Sequence, residues 1–426
     1  MDKKEVSVFW FRRDLRLEDN CGLFEALKLD YPVLPIFIFD DEILNELPKN
    51  DARISYIYNS LQHLNNELQQ IQSSLYIKKG AIIDIWKKIL AEFNVKSVFF
   101  NRDYEPYAIK RDLKVTELCK ANNTEVHSFK DQVIFEKSEI VKENKKPYTI
   151  YTPYKNKWWK LFKNKELEFY PLENIKNNFL KTTFNFPSIN EIGFMVSNIK
   201  VKSINKNAIL EYEKFRDFPE QETSNFSVYL RFGLISIRKL FKYAEPKNTT
   251  FCNELIWREF FMQILCHFPF VVKENFKSKY NFINWRNNEN EFKLWSKGET
   301  GYPIVDAGMN ELNKTGYMHN RVRMIAASFL TKHLLIDWRW GEAYFAKKLL
   351  DYDLAANNGN WQWVAGTGCD SAPYFRIFNP TTQQQKFDSD FSYIKKWNPN
   401  YKSIPEIVEH KFARLRYLNA VKVSLQ

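Results

Sequence analysis

Residues 351–363 read DYDLAANNGNWQW, and the reading of this stretch decides how the rest of the chain is placed. Asp351 and Asp353 precede the apolar Leu354-Ala355-Ala356, so two carboxylates sit beside a buried surface. Such a carboxylate needs a partner, because an unpaired charge away from water is too costly. Asn357 and Asn358 add donors and acceptors, and Gly359 lets a backbone come close to a ligand. Trp361 and Trp363 are two apart, which on a helix turns them roughly 200° from one another. One indole can then face a bound cofactor while the other faces elsewhere. Taken alone the stretch also fits a helix-loop-helix with polar caps, so the surrounding chain has to decide.

Outward from this stretch, the sequence is helical from about residue 206. Apolar positions recur at helical spacing in 206–215, 227–244, 252–267, 303–314, 319–335, 340–350 and 404–420. Asn205 stands ahead of the first as a cap, and Asp217-Phe218-Pro219 ends it. The N-terminal part has another rhythm. Short runs rich in β-branched and aromatic residues fall at 6–11, 33–39, 75–77, 97–100 and 126–129. Helical patterns at 52–71 and 81–93, and a third opened by Pro106, lie between them. Strands alternating with helices predict a doubly wound parallel sheet covered on both faces. Residues 130–205 lose periodicity and read as a surface connection with an aromatic knot at Trp158-Trp159. The expected organisation is an α/β domain over 1–129, a connector over 130–205 and an all-α domain over 206–426.

The formal net charge of +12 is unevenly spread: residues 200–426 hold 33 Lys+Arg against 23 Asp+Glu. A basic excess confined to one half suggests a partner made of phosphates, the alternative being a solvated lysine face. Aromatics at 16% suit flat ligands or electron traffic, although an AT-rich genome gives the same bias. The five cysteines and six histidines have neither disulfide nor metal-ligand spacing, which fits a reducing compartment. With a charged N-terminus and no long apolar run, a cytoplasmic protein without membrane contact is expected. No GxGxxG or Walker sequence occurs, which excludes the usual phosphate-cradling nucleotide sites. In the loop RRDLRLEDN (12–20), three arginines could hold an anion or pair with Asp14, Glu18 and Asp19.

Five stretches carry a resemblance. They are WFRRDLRLEDN (10–20), TSNFSVYLRFG (223–233), NELIWREFF (253–261), TGYPIVDAGMNELNKTGYMHNRVRM (300–324) and DYDLAANNGNWQW, which continues to DSAPYFRIFNPTTQQQKFD (370–388). Over most of its length the chain resembles the photolyase–cryptochrome family, and most of all its class I photolyases of cyclobutane pyrimidine dimers. The resemblance implies FAD in the helical domain and double-stranded DNA containing pyrimidine dimers as partner, with the protein acting as a monomer.

By the same resemblance, Tyr212 and the turn Thr223, Ser224, Asn225, Phe226, Ser227 hold the flavin phosphates, as hydroxyls and N–H groups at a helix start can. The family usually has leucine at the Phe226 position. Arg258, Asn320, Arg323, Asp351, Asp353 and Asn357 complete the cofactor site, with Arg323 and Asp351 as a charge pair. Asn357 matches the position facing the flavin's central nitrogen, where a neutral amide favours the fully reduced, electron-donating form. Glu254, Trp257, Met324 and Trp363 match the lesion pocket, the indoles stacking on the flattened pyrimidines. Arg216, Arg258, Asn320, Arg321 and Gln383 match DNA contacts, and the lesion must leave the duplex to enter. Trp361, Trp338 and Trp285 match three indoles that relay electrons to the photoexcited flavin.

Asn320 after a single His319 separates the chain from (6-4) photolyases, which place a second histidine there. A cryptochrome-type photoreceptor without repair activity is the other alternative, although such proteins usually carry a long tail and this chain stops at Gln426. For a second, antenna chromophore, Tyr107 and Ala108 depart from the folate pattern toward the deazaflavin one. Deazaflavin, folate, another flavin or no chromophore all remain open there.

Overall fold

The computed structural model describes residues 3–425. They divide into two compact units that interleave in sequence. The first comprises the chain up to Glu139, Lys160–Val201 and Phe226–Tyr243; the second comprises Ile140–Trp159, Lys202–Asn225 and the chain from Ala244 onward.

The first unit is the α/β layer structure that the alternating pattern predicts. Strands β1 (Glu5–Phe11), β2 (Val33–Asp40), β3 (Tyr76–Gly80), β4 (Asn94–Asn101) and β5 (Glu125–Phe129) pair in the order β3-β2-β1-β4-β5, all parallel. Val8 on the central strand lies opposite Leu34 on one side and Val98 on the other. β1 and β2 are buried nearly throughout, as strands covered on both faces must be, while the edge strands β3 and β5 are partly exposed. Helices Cys21–Leu27, Ala52–Gln69, Ile82–Glu92 and Pro106–Ala121 alternate with the strands. On one face Trp10 meets Trp86 edge to face at 5.5 Å, within a core that also holds Val8, Ile36, Ile89 and Val98.

Strand order reverses at β1, so the crevice beyond β1 and β4 is where such sheets take ligands. The loop 12–20 sits there, and its arginines are paired with carboxylates outside the loop. Arg12 bonds Asp112 at 2.6 Å, and Arg13 bonds Asp103 and Glu105 at 3.2 and 2.8 Å. Arg16 reaches the buried Asp131 at 2.7 Å, and Arg238 bonds both Asp131 and Asp19. Asp131 is fully buried, yet the two guanidiniums outweigh burial and hold its carboxyl below the usual range. Of the two alternatives open for this loop, pairing with Asp14, Glu18 and Asp19 is corrected: the carboxylates that its arginines bond are Asp112, Asp103, Glu105 and Asp131. Arg16 does reach Glu18 and Asp19, but at their backbone carbonyls, while the Asp19 carboxylate is taken by Arg238.

The helical expectation needs several corrections. The pattern over 227–244 is two helices, Phe226–Arg231 and Ile237–Ala244. Gly233 breaks it with φ +66°, and an added Cβ there would lie 2.1 Å from the Arg13 carbonyl. The run over 319–335 is a helix to Ser328 and then a π-helical turn, Phe329–His333. The supposed connector contains a helix, Tyr151–Phe162, whose Tyr151, Tyr154 and Trp158 are buried at helical spacing among exposed and half-buried lysines. Its knot is polar at heart: Trp158 Nε1 and the Tyr154 hydroxyl both donate to the buried Glu259. Asn205 accepts from the N–H groups of Asn207 and Ala208, but the expected helix over 206–215 is a 3-10 turn, Asn207–Ile209, and a separate one-turn helix, Tyr212–Phe215.

The second unit is helical around one core that includes Trp295, Leu312, Ile325, Phe329, Trp338, Phe345 and Trp361. At its centre the helix Leu354–Ala365 is capped by the Asp353 carboxylate, which accepts from Ala356 N–H, and ends at Gly366 with φ +86°. Two close approaches fix it. A Cβ on Gly359 would lie 2.2 Å from Phe261 of helix Thr249–His267, and one on Gly341 of helix Trp338–Lys348 would lie 2.1 Å from the Trp361 ring. Among the described residues no helix is long and apolar enough to cross a membrane.

Candidate functional site

The opening stretch forms one wall of an open cleft in the second unit, with a cavity volume of about 90 Å³. From helix Leu354–Ala365 come Ala356, Asn357, Asn360, Trp361 and Val364, and Asp351, Tyr352 and Asp353 lead into it. Asn320, Arg323, Met324 and Ala327 face them from helix Asn320–Ser328, at spacings of 3 and 4. Seven residues that the sequence reading assigned to chemistry share this one cleft: Asn320, Arg323, Met324, Asp351, Asp353, Asn357 and Trp361.

Its charges are matched in place. Arg323 Nη2 bonds both Asp351 carboxylate oxygens at 3.1 and 3.0 Å, and its Nε donates to the Met318 carbonyl. Asn357 Nδ2 donates to the Glu342 carboxylate at 2.8 Å and to the Glu342 backbone carbonyl at 3.1 Å. On the far side of the helix, Asn358 and Gln362 donate to the Val271 carbonyl, so these amides serve structure. The roughly 200° between Trp361 and Trp363 has its expected result. Trp361 lines the cleft, and Trp363 packs elsewhere on the core.

The other two indoles of the expected relay belong to the same core. Trp338 is fully buried, its Nε1 donating to Asn275 at 2.8 Å, and Trp285 is half-buried at the core's edge. Trp295, which the sequence reading did not single out, lies 6.2 Å from Trp361, centroid to centroid.

A second cluster surrounds helix Thr249–His267, which packs on Leu354–Ala365. Glu254, Trp257 and Arg258 lie three and four apart on it. Glu254 pairs with Arg216 at 2.7 Å, and the guanidinium lies 5.3 Å from the ring centre of Tyr212. Burial pushes the Glu254 carboxyl up from its ordinary pKa, and Arg216 opposes that. Trp257 is stacked on Tyr151 at 3.6 Å and 11°, and the Tyr151 hydroxyl donates to the Asn253 carbonyl. Tyr151 lies in the supposed connector, so no motif pointed to it. Next along the chain, Asp217 pairs with Arg321 at 2.7 Å, and Arg321 lies over Phe387, one turn beyond Gln383. His319 accepts from Arg321 N–H through Nδ1, and burial lowers its pKa to about 4.

The turn at 223–227 is not gathered into the cleft wall. Thr223 is exposed, Ser224 and Asn225 are buried, and Asn225, at φ +57°, donates to the Ser203 carbonyl. Phe226 and Ser227 begin the helix assigned to the first unit.

A parallel α/β unit, a helical unit with a charge-matched cleft, and a carboxylate-indole-arginine cluster on the adjoining helix define the photolyase–cryptochrome class. The chain belongs to the DNA photolyase family. Residues 7–173 match the family model described as DNA photolyase, and residues 251–424 match that of the FAD binding domain of DNA photolyase. It is 36% identical to the deoxyribodipyrimidine photo-lyase of Halobacterium salinarum, over 96% of this chain and 92% of that one. Among solved structures it resembles a bacterial class III photolyase from Agrobacterium tumefaciens, with TM-score 0.87, 31% identity and coverage of 100% and 98%. It also resembles an archaeal photolyase from Sulfolobus tokodaii with two FAD molecules, with TM-score 0.85, 34% identity and coverage of 99% of both chains.

Proposed function

We propose that this protein is a light-driven lyase that splits cyclobutane pyrimidine dimers in double-stranded DNA, with FAD in the cleft of the second unit. One observation carries the reading. The cleft wall and the Glu254-Trp257 pair, to which Arg216 is bonded from outside, stand on two helices, Leu354–Ala365 and Thr249–His267, that pack directly on each other. The cleft fits the cofactor chemically: a paired guanidinium and carboxylate for the polar edge of a ring system, an amide of fixed orientation, and an indole wall. Bound and reduced, FAD supplies a light-activated one-electron donor.

The chain's own residues bind, orient and exclude water. Arg323 and Asp351 hold one another in register, so neither charge is left bare when a ring covers them. Trp257, backed by Tyr151, offers a rigid aromatic surface for the everted pyrimidines. Glu254, with its raised pKa, is suited to hydrogen-bond a pyrimidine carbonyl that gains charge. Arg216, Arg258, Asn320, Arg321 and Gln383 bear on the strand, and the basic excess of residues 200–426 attracts its phosphates. Trp361, Trp338 and Trp285 provide oxidisable side chains leading out from the cleft. The first unit carries the light-harvesting chromophore, if one is bound. The protein works as a cytoplasmic monomer without an obligate protein partner.

The test uses purified protein and a duplex containing one defined thymine dimer, under blue light and in the dark. Restoration of the two thymines in light alone is expected. A flavin-loaded protein that leaves the dimer intact in light would move the assignment to a photoreceptor.

A further inference from the structure

The supposed connector contributes the segment Ile140–Trp159 to the second unit, and the charge of that segment is one-sided. Lys142, Lys145, Lys146, Lys155 and Lys157 stand there against a single acid, Glu143. The first three sit on a tight hairpin. Val141 bridges Pro147 antiparallel, Lys142 N–H donates to the Lys146 carbonyl at 3.0 Å, and Lys145 N–H donates to the Lys142 carbonyl at 2.9 Å. Lys145 takes φ +61°, so a lysine stands where the backbone favours glycine. All three side chains are exposed, and none of the five lysines has an ion-pair partner among the described residues. Lys130 and Lys165, on either side in the chain, instead share Glu139 at 2.5 and 3.6 Å.

This bare charge is anchored beside the aromatic cluster. Cys369 Sγ donates to the Thr149 carbonyl at 2.8 Å, Tyr151 N–H donates to the Asp370 carboxylate at 3.0 Å, and the Tyr151 ring stacks on Trp257. Lys146 is five residues from Tyr151, so at full extension it lies within about 18 Å of that stack. A duplex carries one phosphate charge per about 1.7 Å of its axis, so phosphates flanking a dimer seated on Trp257 fall within that reach. We infer that the hairpin 141–147 is a phosphate-binding surface, which grips the duplex backbone beside the dimer through Lys142, Lys145 and Lys146. This rests on the assignment of dimer repair to the chain. Phosphate contacts fix register without reading a base, so the hairpin adds affinity for any duplex and none for the dimer itself.

The test measures binding of FAD-loaded protein, kept dark, to a fluorescent duplex containing one thymine dimer and to the same duplex undamaged, over a salt series. Wild type is compared with Lys142→Gln/Lys145→Gln/Lys146→Gln and with the triple arginine variant at the same positions. A control, Lys110→Gln/Lys114→Gln/Lys120→Gln, removes equal charge from exposed positions of helix Pro106–Ala121 in the first unit. Each duplex phosphate contact contributes about 0.9 to the slope of log K against log salt. With two of the three lysines engaged at once, the hairpin glutamine variant should lose about 1.8 from the slope on both duplexes and bind each at least about tenfold more weakly at about 0.1 M salt. Its preference for the dimer should stay within about threefold of wild type. The arginine variant should match wild type, and the first-unit control should lose less than half as much slope. Lys142→Gln/Lys146→Gln serves if the triple variant does not fold, with a loss of about 0.9 or more. A hairpin variant with wild-type slope, or one whose loss the control equals, would overturn the proposal, and so would loss of dimer preference at unchanged slope. Wild-type protein that does not prefer the dimer duplex would instead remove the functional assignment on which the proposal rests.

Discussion

Gly341→Ala probes how firmly the cleft's indole is held. An added Cβ would lie 2.1 Å from Trp361 Cη2, 2.5 Å from Cζ3 and 2.6 Å from Leu330 Cδ2. Carbon atoms rest at about 3.5–4.0 Å, so the ring must retreat by roughly 1.5 Å. It has little room, because Trp361 also meets Phe345 at 5.0 Å and Trp295 at 6.2 Å within a closed core. Overpacking of this kind costs about 1–3 kcal/mol, and alanine returns about 1 kcal/mol over glycine inside a helix. With three contacts this short we expect the upper end, a net loss of about 2 kcal/mol. Urea unfolding at 25 °C measures it as a lower midpoint at unchanged slope. The displaced ring should also slow light-driven reduction of the FAD-loaded protein. A variant as stable as wild type, with unaltered photoreduction, would show that the Trp361 ring is not pinned against this helix.

Three further outcomes are expected. Asp351→Asn strands the half-buried Arg323 guanidinium, lowering stability by about 1–2 kcal/mol and weakening FAD retention in gel filtration; equal retention would separate the pair from the cofactor. His319 has its pKa depressed by burial to about 4, so its contribution is full above the unfolded value of about 6.5 and is lost as pH falls toward 4. His319→Asn keeps a helix cap and should flatten the pH dependence of unfolding over that window by about 3 kcal/mol; an unchanged profile would assign the loss to other groups. Trp361→Phe should slow photoreduction of oxidised FAD severalfold or more while leaving repair by chemically reduced protein nearly intact, and equal loss of both would contradict a relay role.

Much of this was legible in the sequence because its causes are local. The five strands were marked by apolar runs and the parallel order by alternation with helices. Asn320, Arg323 and Met324 share a helix face that spacing alone fixes, and Trp361 and Trp363 diverge for the same reason. What escaped depends on distance in the chain. The carboxylates that pair Arg12, Arg13 and Arg16 lie about 90 to 115 residues away, and no local rule finds them. Tyr151 was hidden because its helix mixes lysines with aromatics, so its buried face shows only once Glu259 and Trp257 are in place. Nothing in the sequence around Trp340-Gly341 singles out Glu342, and only the fold reveals that it bonds Asn357.

Repair turns on an electron passed from the cleft to a pyrimidine dimer held by the Glu254 and Trp257 cluster. The most direct measurement is the excited-state lifetime of the reduced flavin in the purified protein, with duplex containing a thymine dimer and with the same duplex undamaged. The lifetime should shorten with the dimer alone, and Glu254→Gln should reduce the shortening. A lifetime unchanged by bound dimer would contradict the claim.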